Sequence, residues 1–363
     1  MADTTLATAS QVAKWDARFL SEYVRDSGFR PYMSRGVNSV IMAKYELASG
    51  GKTINMPLVT RLSGAGVTGS TALEGAEEAL GNYNHSISIS WLRNGVLLTK
   101  DQEHWTEMDM RAAARDQLNN WAMSKLRDDI IAALASINGV AYGSATAAQR
   151  DAWLDDNIDR VLFGATKSNV STSAPAGGAT YDHSASLLNV DGTNDKLTAA
   201  RVSLMKRIAR TADPHIRPMR VDAAAGREFY VMFCGSRNFR DLREDSAMAT
   251  ANRDARPRDV DSNPIFQDGD LIYDGVIIRE IPEIPVLAGA GNGGTTDVGP
   301  VYLCGAQALG VAWGQEPKST TDTRDYGFRH GVGIEEARGV SKMVFNDKDH
   351  GVVTGYFAAV ADA

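Results

Sequence analysis

The chain has 363 residues, 43% of them hydrophobic and 23% charged, with a formal net charge of -7. Length and composition argue for two or three domains with sizeable cores and against global disorder. The acidity argues against a dedicated nucleic-acid binder, which would carry a clearly basic domain, and no apolar run approaches the ~20 residues of a membrane helix. The first residues, Met1-Ala2-Asp3-Thr4-Thr5, show neither the basic nor the apolar region of a secretory signal. Cys234 and Cys304 each sit in an apolar run and read as buried, reduced thiols of a reducing cytoplasm, without a disulfide framework.

In chain order, Ser10 caps a helix running to about Asp26, with Val12, Trp15, Phe19 and Tyr23 on one face. Gly28 and Pro31 end it. Such a striped arm is expected to dock on its own body or on a neighbour. Lys52 to Val59 alternates as a strand, and a small, glycine-bearing segment from Ser63 to Ser70 follows. Glu74, Glu77 and Glu78 lead into a second alternating strand, His85 to Trp91. Together they predict a long hairpin excursion with an acidic tip, marginal alone in water and therefore held elsewhere.

From Thr106 to Ile137 no glycine or proline occurs, and Ala114, Leu118, Trp121, Ala122, Ile130, Leu134 and Ile137 keep helical spacing. This predicts a scaffold helix of roughly 45 Å, capped by Thr106 and ended by Gly139. Residues 164–196 read as a surface loop, Thr198 to Thr211 as a helix stopped at Asp213-Pro214, and Glu228 to Cys234 as a buried strand. Gly235 to Asp245 reads as a loop entering a helix, and Ala251 to Asn263 as a loop. Strands are expected near 271–281, 300–304 and 308–313, then near 340–346 and 351–359 around an Asn346-Asp347-Lys348-Asp349 turn. No internal repeat is visible, and the fold class is α+β.

Few motifs suggest chemistry. Gly51-Lys52-Thr53 looks like the tail of a phosphate loop, but Glu46 stands where its first glycine belongs and a strand follows. The glycines of Gly289 to Gly294 lack the helix that a dinucleotide site needs. The histidines at 85, 104, 183, 215, 330 and 350 are far apart, with no metal-ligand spacing. Ser236 lies outside any nucleophile elbow. The acidic group Glu74, Glu77 and Glu78 reads as a solvated or interface-facing turn. The basic group Arg201, Lys206, Arg207, Arg210, Arg217 and Arg220 reads equally as a DNA-facing patch or as a charged helix face pairing with acids of a neighbour, such as those of Asp241-Leu242-Arg243-Glu244-Asp245. No catalytic, cofactor or metal site is expected.

The order of several segments resembles the major capsid proteins of tailed bacteriophages, most closely the family typified by a phage that packages an RNA polymerase in its virion. They are Thr53 to Leu58 with Met56-Pro57, Gly69 to Leu80 around Leu73-Glu74-Gly75-Ala76-Glu77-Glu78, and Leu118-Asn119-Asn120-Trp121. Phe239-Arg240-Asp241-Leu242-Arg243, Asn263-Pro264-Ile265-Phe266, Tyr273 to Ile277, Gly305 to Leu309, Asp325-Tyr326-Gly327 and Gly351-Val352-Val353 continue it, so that it covers roughly residues 10 to 360. The resemblance implies the capsid fold shared by tailed phages and the herpesvirus shell floor. It divides the chain into an N-terminal arm (1–50), an extended loop (51–103), a peripheral domain (104–199) with spine helix 106–137 and a surface loop, a mainly axial domain (200–330), and C-terminal strands (331–363) returning to the peripheral domain.

It also implies a self-assembling, non-enzymatic subunit of an icosahedral head around double-stranded DNA, built in the host bacterial cytoplasm. Its partners would be itself in hexamers and pentamers, a portal, decoration proteins and a separate scaffolding protein, since few residues precede the first helix. Contact with DNA would be non-specific, and no membrane or crosslinking lysine–asparagine pair is expected. Candidate intersubunit contacts are Trp15, Phe19, Glu74, Glu77, Glu78, Arg240, Asp241 and Arg243. Gly64, Gly66 and Gly69 are candidate flexible positions, and Arg201, Lys206, Arg207 and Arg210 a DNA-facing or intersubunit group. A cellular nanocompartment shell of the same fold, separable by its cargo, and a cytoplasmic α+β enzyme, marked by a deep polar pocket, are the alternatives.

Overall fold

A mixed seven-stranded sheet carries the larger hydrophobic core. The computed structural model describes residues 28–222, 227–254 and 270–362, apart from positions 63, 65, 71, 76 and 107. The expected arm helix with Trp15 and Phe19 lies outside them; of the loop expected over Ala251 to Asn263, the first residues are instead the end of helix Ser246–Asp254, and the rest lies outside the described residues. The chain divides into two compact units, one holding Ser90–Leu126 and Gln315–Ala337, the other Gly28–Ile89, Arg127–Gly314 and Arg338–Ala363.

In the second unit the sheet runs Val161–Phe163, Val352–Ala358, Val298–Cys304, Arg227–Cys234, Val276–Glu280, Asp270–Tyr273, with Met219–Asp222 also paired to Arg227–Cys234. Val298–Cys304 and Val352–Ala358 are buried along their whole length. A strand covered on both faces reads as an unbroken apolar run, as these do. Helix Ala199–Thr211 lays Val202, Met205 and Ile208 on this core beside Met232, Leu303 and Val353. Thr198 is its N-cap residue, and the Asp245 carboxylate accepts from the Ala199 N–H at 2.8 Å. Two expected features change here. Ser236–Glu244 is helical from its first residue after Gly235. The expected loop of 164–196 holds helix His183–Leu188 and buries His183, Leu187 and Val190. Its polar backbone is satisfied from a distance: Asp151 accepts from the N–H groups of Ala176 and His183, and Asp155 from those of Thr180 and Tyr181.

The long helix is Met110–Ala135, about 39 Å by its rise per residue. It begins later than expected, and Lys100–Trp105 before it form a short helix of their own, whose capping box joins Thr99 and Gln102. Thr106 is the extended residue ending that helix, and Asp109 caps the long one through the N–H groups of Arg111 and Ala112. In the first unit Ala114, Leu118 and Ala122 pack on Val332 and Ile334. In the second, Arg338 bonds Asp129 at 2.7 Å.

The expected strand at 308–313 extends over Leu309–Arg324 and is followed by Arg329–Lys342. Ser90–Thr99 lies beside Arg329–Lys342 in the first unit, and Ile41–Lys44 pairs in parallel with Leu309 to Ala312 in the second. Consequently the expected closing strands do not pair with each other. Arg329–Lys342 and Val352–Ala358 belong to different sheets, joined through the short hairpin Val344–Phe345 with Lys348–Asp349. The expected turn within it is present, with Asn346 and Asp347 at φ of 52° and 60°. Two consecutive left-handed residues suit the twist of a tight hairpin.

Candidate assembly surfaces

The predicted excursion is an antiparallel hairpin of Thr53–Val59 and Asn82–Ser88, in register from Thr53 with Ser88 to Val59 with Asn82. Its second strand runs Asn82–Ser88 in place of the expected His85 to Trp91, because at Ile89 the chain leaves the hairpin for the separate strand Ser90–Thr99. Alternation sends Met56 and Ile87 into a cluster with Met42, Leu47, Met343 and Phe345, while Thr53, Asn55 and Pro57 face outward. Past this root the apolar residues Val59, Leu62, Leu73, Leu80 and Tyr83 are exposed.

At the tip the acids fold partly onto their own loop. Glu78 accepts from the Gly64 N–H at 2.6 Å, and Glu77 from the Gly75 N–H at 2.7 Å. Glu74 is exposed. Gly66 and Gly69 both hold φ of 69° in open space, whereas a Cβ at Gly64 would lie 2.7 Å from the Glu78 carboxylate. Gly66 and Gly69 therefore use their conformational freedom, and Gly64 is held.

The remaining candidates separate by location. Arg240 donates to Asp241 at 2.8 Å and to the Val360 carbonyl at 3.0 Å, and also pairs with Asp362. Asp241 is buried, so its carboxylate serves this contact within the chain, while Arg243 is exposed and lines a shallow cleft of about 410 Å³ with Glu244 and Glu280. Of the basic group, Lys206 pairs with Asp274 at 2.7 Å and Arg220 with Glu228 at 3.3 Å. Arg201 donates to the Thr198 hydroxyl at 2.8 Å. Arg207, Arg210 and Arg217 are exposed.

Three buried polar arrangements escaped sequence reasoning. His183 lies among Tyr142, Trp153, Phe163 and Tyr356, with ring centroids 5.4–6.0 Å away. Burial, reinforced by the Arg150 charge, lowers its pKa to about 3. Lys342 and Asp349 form a buried pair, and Phe345 stands between His85 and His350. Only Lys342 stands in a largely apolar stretch, Val340 to Phe345; His85, His183, Asp349 and His350 have polar neighbours in the chain and carry no local signal of burial. Burial pushes the Cys234 and Cys304 thiols far above their ordinary pKa, which leaves them unreactive. Neither glycine run opens a helix: Thr53 begins a strand, and Asn292–Gly294 is one 3-10 turn before Val298–Cys304. Among the described residues no group of His, Cys, Asp or Glu is placed to hold a metal ion, and no helix is long and apolar enough to cross a membrane.

Residues 3–361 match the family described as phage capsid protein. The chain belongs to that family. This capsid protein is 26% identical over 374 aligned residues to the major capsid protein of Pseudomonas phage KPP25, covering 97% of one chain and 96% of the other. Its structure matches the capsid asymmetric unit of cyanophage Pam1 with a TM-score of 0.90 at 45% identity, both chains covered in full. The capsid of Ralstonia phage GP4 shares the fold at a TM-score of 0.73 and 23% identity, again with 100% of each chain covered. The fold is that of tailed-phage capsid proteins, and the chain is a major capsid protein, a structural subunit that associates with itself into the shell of the virion.

Proposed function

We propose that copies of this protein form an icosahedral head around packaged double-stranded DNA, through rings of five and six. The observation that carries this reading is the hairpin, whose root is anchored in its own chain and whose outer part exposes Val59, Leu62, Leu73, Leu80 and Tyr83. A fully buried apolar side chain contributes roughly 1.5–3 kcal/mol, so a neighbour beneath the hairpin gains substantially from covering these. Identical subunits meeting by two different surfaces close into rings, and each contact can be modest because a shell sums many.

In this reading residues 1–50 are the arm, 51–103 the loop over the neighbour, 104–199 the peripheral domain, 200–330 mainly the axial domain, and 331–363 the returning strands. Trp15, Phe19, Glu74, Glu77, Glu78, Arg240 and Arg243 serve subunit contacts. Asp241, buried against Arg240, is left out, as is Lys206, paired with Asp274. Arg201, Arg207 and Arg210 face DNA or a neighbour. A separate scaffold, a portal and decoration proteins complete the head, which assembles in the host cytoplasm without any catalytic step by this chain. The viral relatives favour a virion over a cellular compartment of the same fold.

The test replaces Leu62, Leu73 and Leu80 with serine, followed by light scattering and electron microscopy with scaffold supplied. The expected result is a folded chain that no longer closes shells; normal shells would count against the reading.

A further inference from the structure

The root of the hairpin is gripped by an aromatic sandwich. The Phe345 ring lies 5.9 Å from the His85 ring and 5.2 Å from the His350 ring, at interplanar angles of 64° and 81°. His85 stands on the second hairpin strand opposite Met56, with Nε2 3.1 Å from the Ser341 hydroxyl. His350 follows the short hairpin, and its Nδ1 is buried without a hydrogen-bond partner. A cleft of about 480 Å³ opens beside this sandwich, lined among others by Leu58, Arg61, Tyr83, Asp213, His215 and Lys348.

We propose that this junction is a proton-operated hinge: proton uptake at His85 and His350 detaches the hairpin root from Phe345 and lets the hairpin change its angle.

The surroundings on balance favour neutral rings in the closed form: burial of His85 outweighs its hydrogen bond to the Val344 carbonyl, which favours the charged ring. Arg160 donates to the Asp349 carbonyl at 2.5 Å and opposes charge on His350, while Lys342, Lys348 and Arg61 add further cations. Nearby carboxylates have other partners: Asp349 bonds Lys342 at 2.7 Å, Asp213 pairs with Arg61 at 3.4 Å, and Asp159 pairs with Arg160 at 2.9 Å. His215 donates Nδ1–H to the Ala212 carbonyl at 2.7 Å and so faces its own turn. A proton placed on Nδ1 of His350 would bury a donor that meets no acceptor. Burial holds the pKa of both His85 and His350 below the ordinary value. Opening lets water into the cleft and returns both toward about 6.5. The open form therefore takes up protons, and the closed form loses ground as pH falls below about 6.5. The device stands whether or not the hairpin lies on a neighbour.

Hydrogen exchange read by mass spectrometry on the full-length purified chain at pH 7.5 and 5.5, corrected for intrinsic exchange, tests this. Segments 53–59 and 82–88 are expected to lose about tenfold or more of their protection at the lower pH. In the double variant His85→Gln/His350→Gln the hairpin is expected to show the same protection at both pH values. Unchanged wild-type protection or an undiminished pH response in the variant would each overturn the hinge. If the double variant does not fold, His85→Gln alone replaces it: a shallower response supports the hinge, and one as steep as wild type overturns it.

Discussion

The Lys342 ammonium lies 2.7 Å from a carboxylate oxygen of Asp349, and both side chains are 1% exposed. The same ammonium donates to the Ser136 carbonyl at 2.7 Å, and the Trp153 indole N–H donates to the same carboxylate oxygen at 3.3 Å. The pair thus joins the end of the long helix, the Ala147–Asp156 helix and the start of the C-terminal segment. Removing one member strands the other charge in a dry site, which costs more than the intact pair contributes. Lys342→Met is expected to lower unfolding free energy by about 3–5 kcal/mol. Lys342→Met/Asp349→Asn should recover most of that loss. Urea unfolding of the wild type, both single variants and the double variant measures the difference. A loss below about 1 kcal/mol in Lys342→Met would show the site to be wetter or more adaptable than its burial implies.

His183 predicts a second acid sensitivity, separate from the hinge. Its pKa falls to about 3 when folded, chiefly through burial, against an ordinary value near 6.5. Below pH 6.5 the unfolded chain binds a proton that the folded chain refuses. The contribution of this residue is complete above that pH and declines by about 1.4 kcal/mol per pH unit as pH falls toward 3. His183→Phe keeps a ring in the aromatic cage and removes the titration. Its unfolding midpoint should depend less on pH between 6.5 and 4 than that of wild type. Identical slopes would contradict the assignment.

Gly339 is where the hairpin meets the body most closely. A Cβ there would lie 2.2 Å from the Ser88 carbonyl oxygen, a backbone atom with no freedom to swing aside. Gly339→Ala should cost about 1–3 kcal/mol through overpacking, and exchange protection should fall first at Ile87 and Ser88. A variant as stable as wild type would mean that the strands separate there without penalty.

Much of this architecture was legible because its cues are local. Thr53 to Val59 alternates, Thr198 precedes a regular apolar stripe, and Asn346-Asp347 is a left-handed turn pair. The unbroken apolar runs at 298–304 and 352–358 follow from burial on both faces. What failed depended on distance. Segment 164–196 looks like a loop because Asp151 and Asp155, on a preceding helix, satisfy its backbone. Leu309–Arg324 was not predicted at full length because its outer portion is polar and exposed, and Arg329–Lys342 because glycines and the charged but buried Glu336 and Arg338 interrupt its apolar positions. The Thr99/Gln102 capping box is present in the sequence, but it lies before the helix expected from Thr106 and was given no element of its own. Among the candidate contacts, nothing local separates exposed Arg243 from buried Asp241 two residues earlier.

The loop glycines supply a prediction on curvature. Gly66 and Gly69 adopt left-handed backbone that costs a side-chain-bearing residue about 1–2 kcal/mol, and Gly64 packs on Glu78. Replacing all three with alanine should restrict how the loop bends between ring positions and give malformed or wrongly sized shells by electron microscopy. Normal shells of normal size would show that curvature is set elsewhere.

The central claim is that the 51–103 loop of one subunit covers its neighbour in a closed shell. Cryo-electron microscopy of the purified protein, with scaffold supplied and light scattering on the same sample, tests it most directly. The account predicts closed shells of five- and six-membered rings, with the loop over the adjacent subunit and Val59, Leu62, Leu73, Leu80 and Tyr83 buried beneath it. A monodisperse small species that persists with scaffold, or shells in which each loop touches only its own chain, would contradict it.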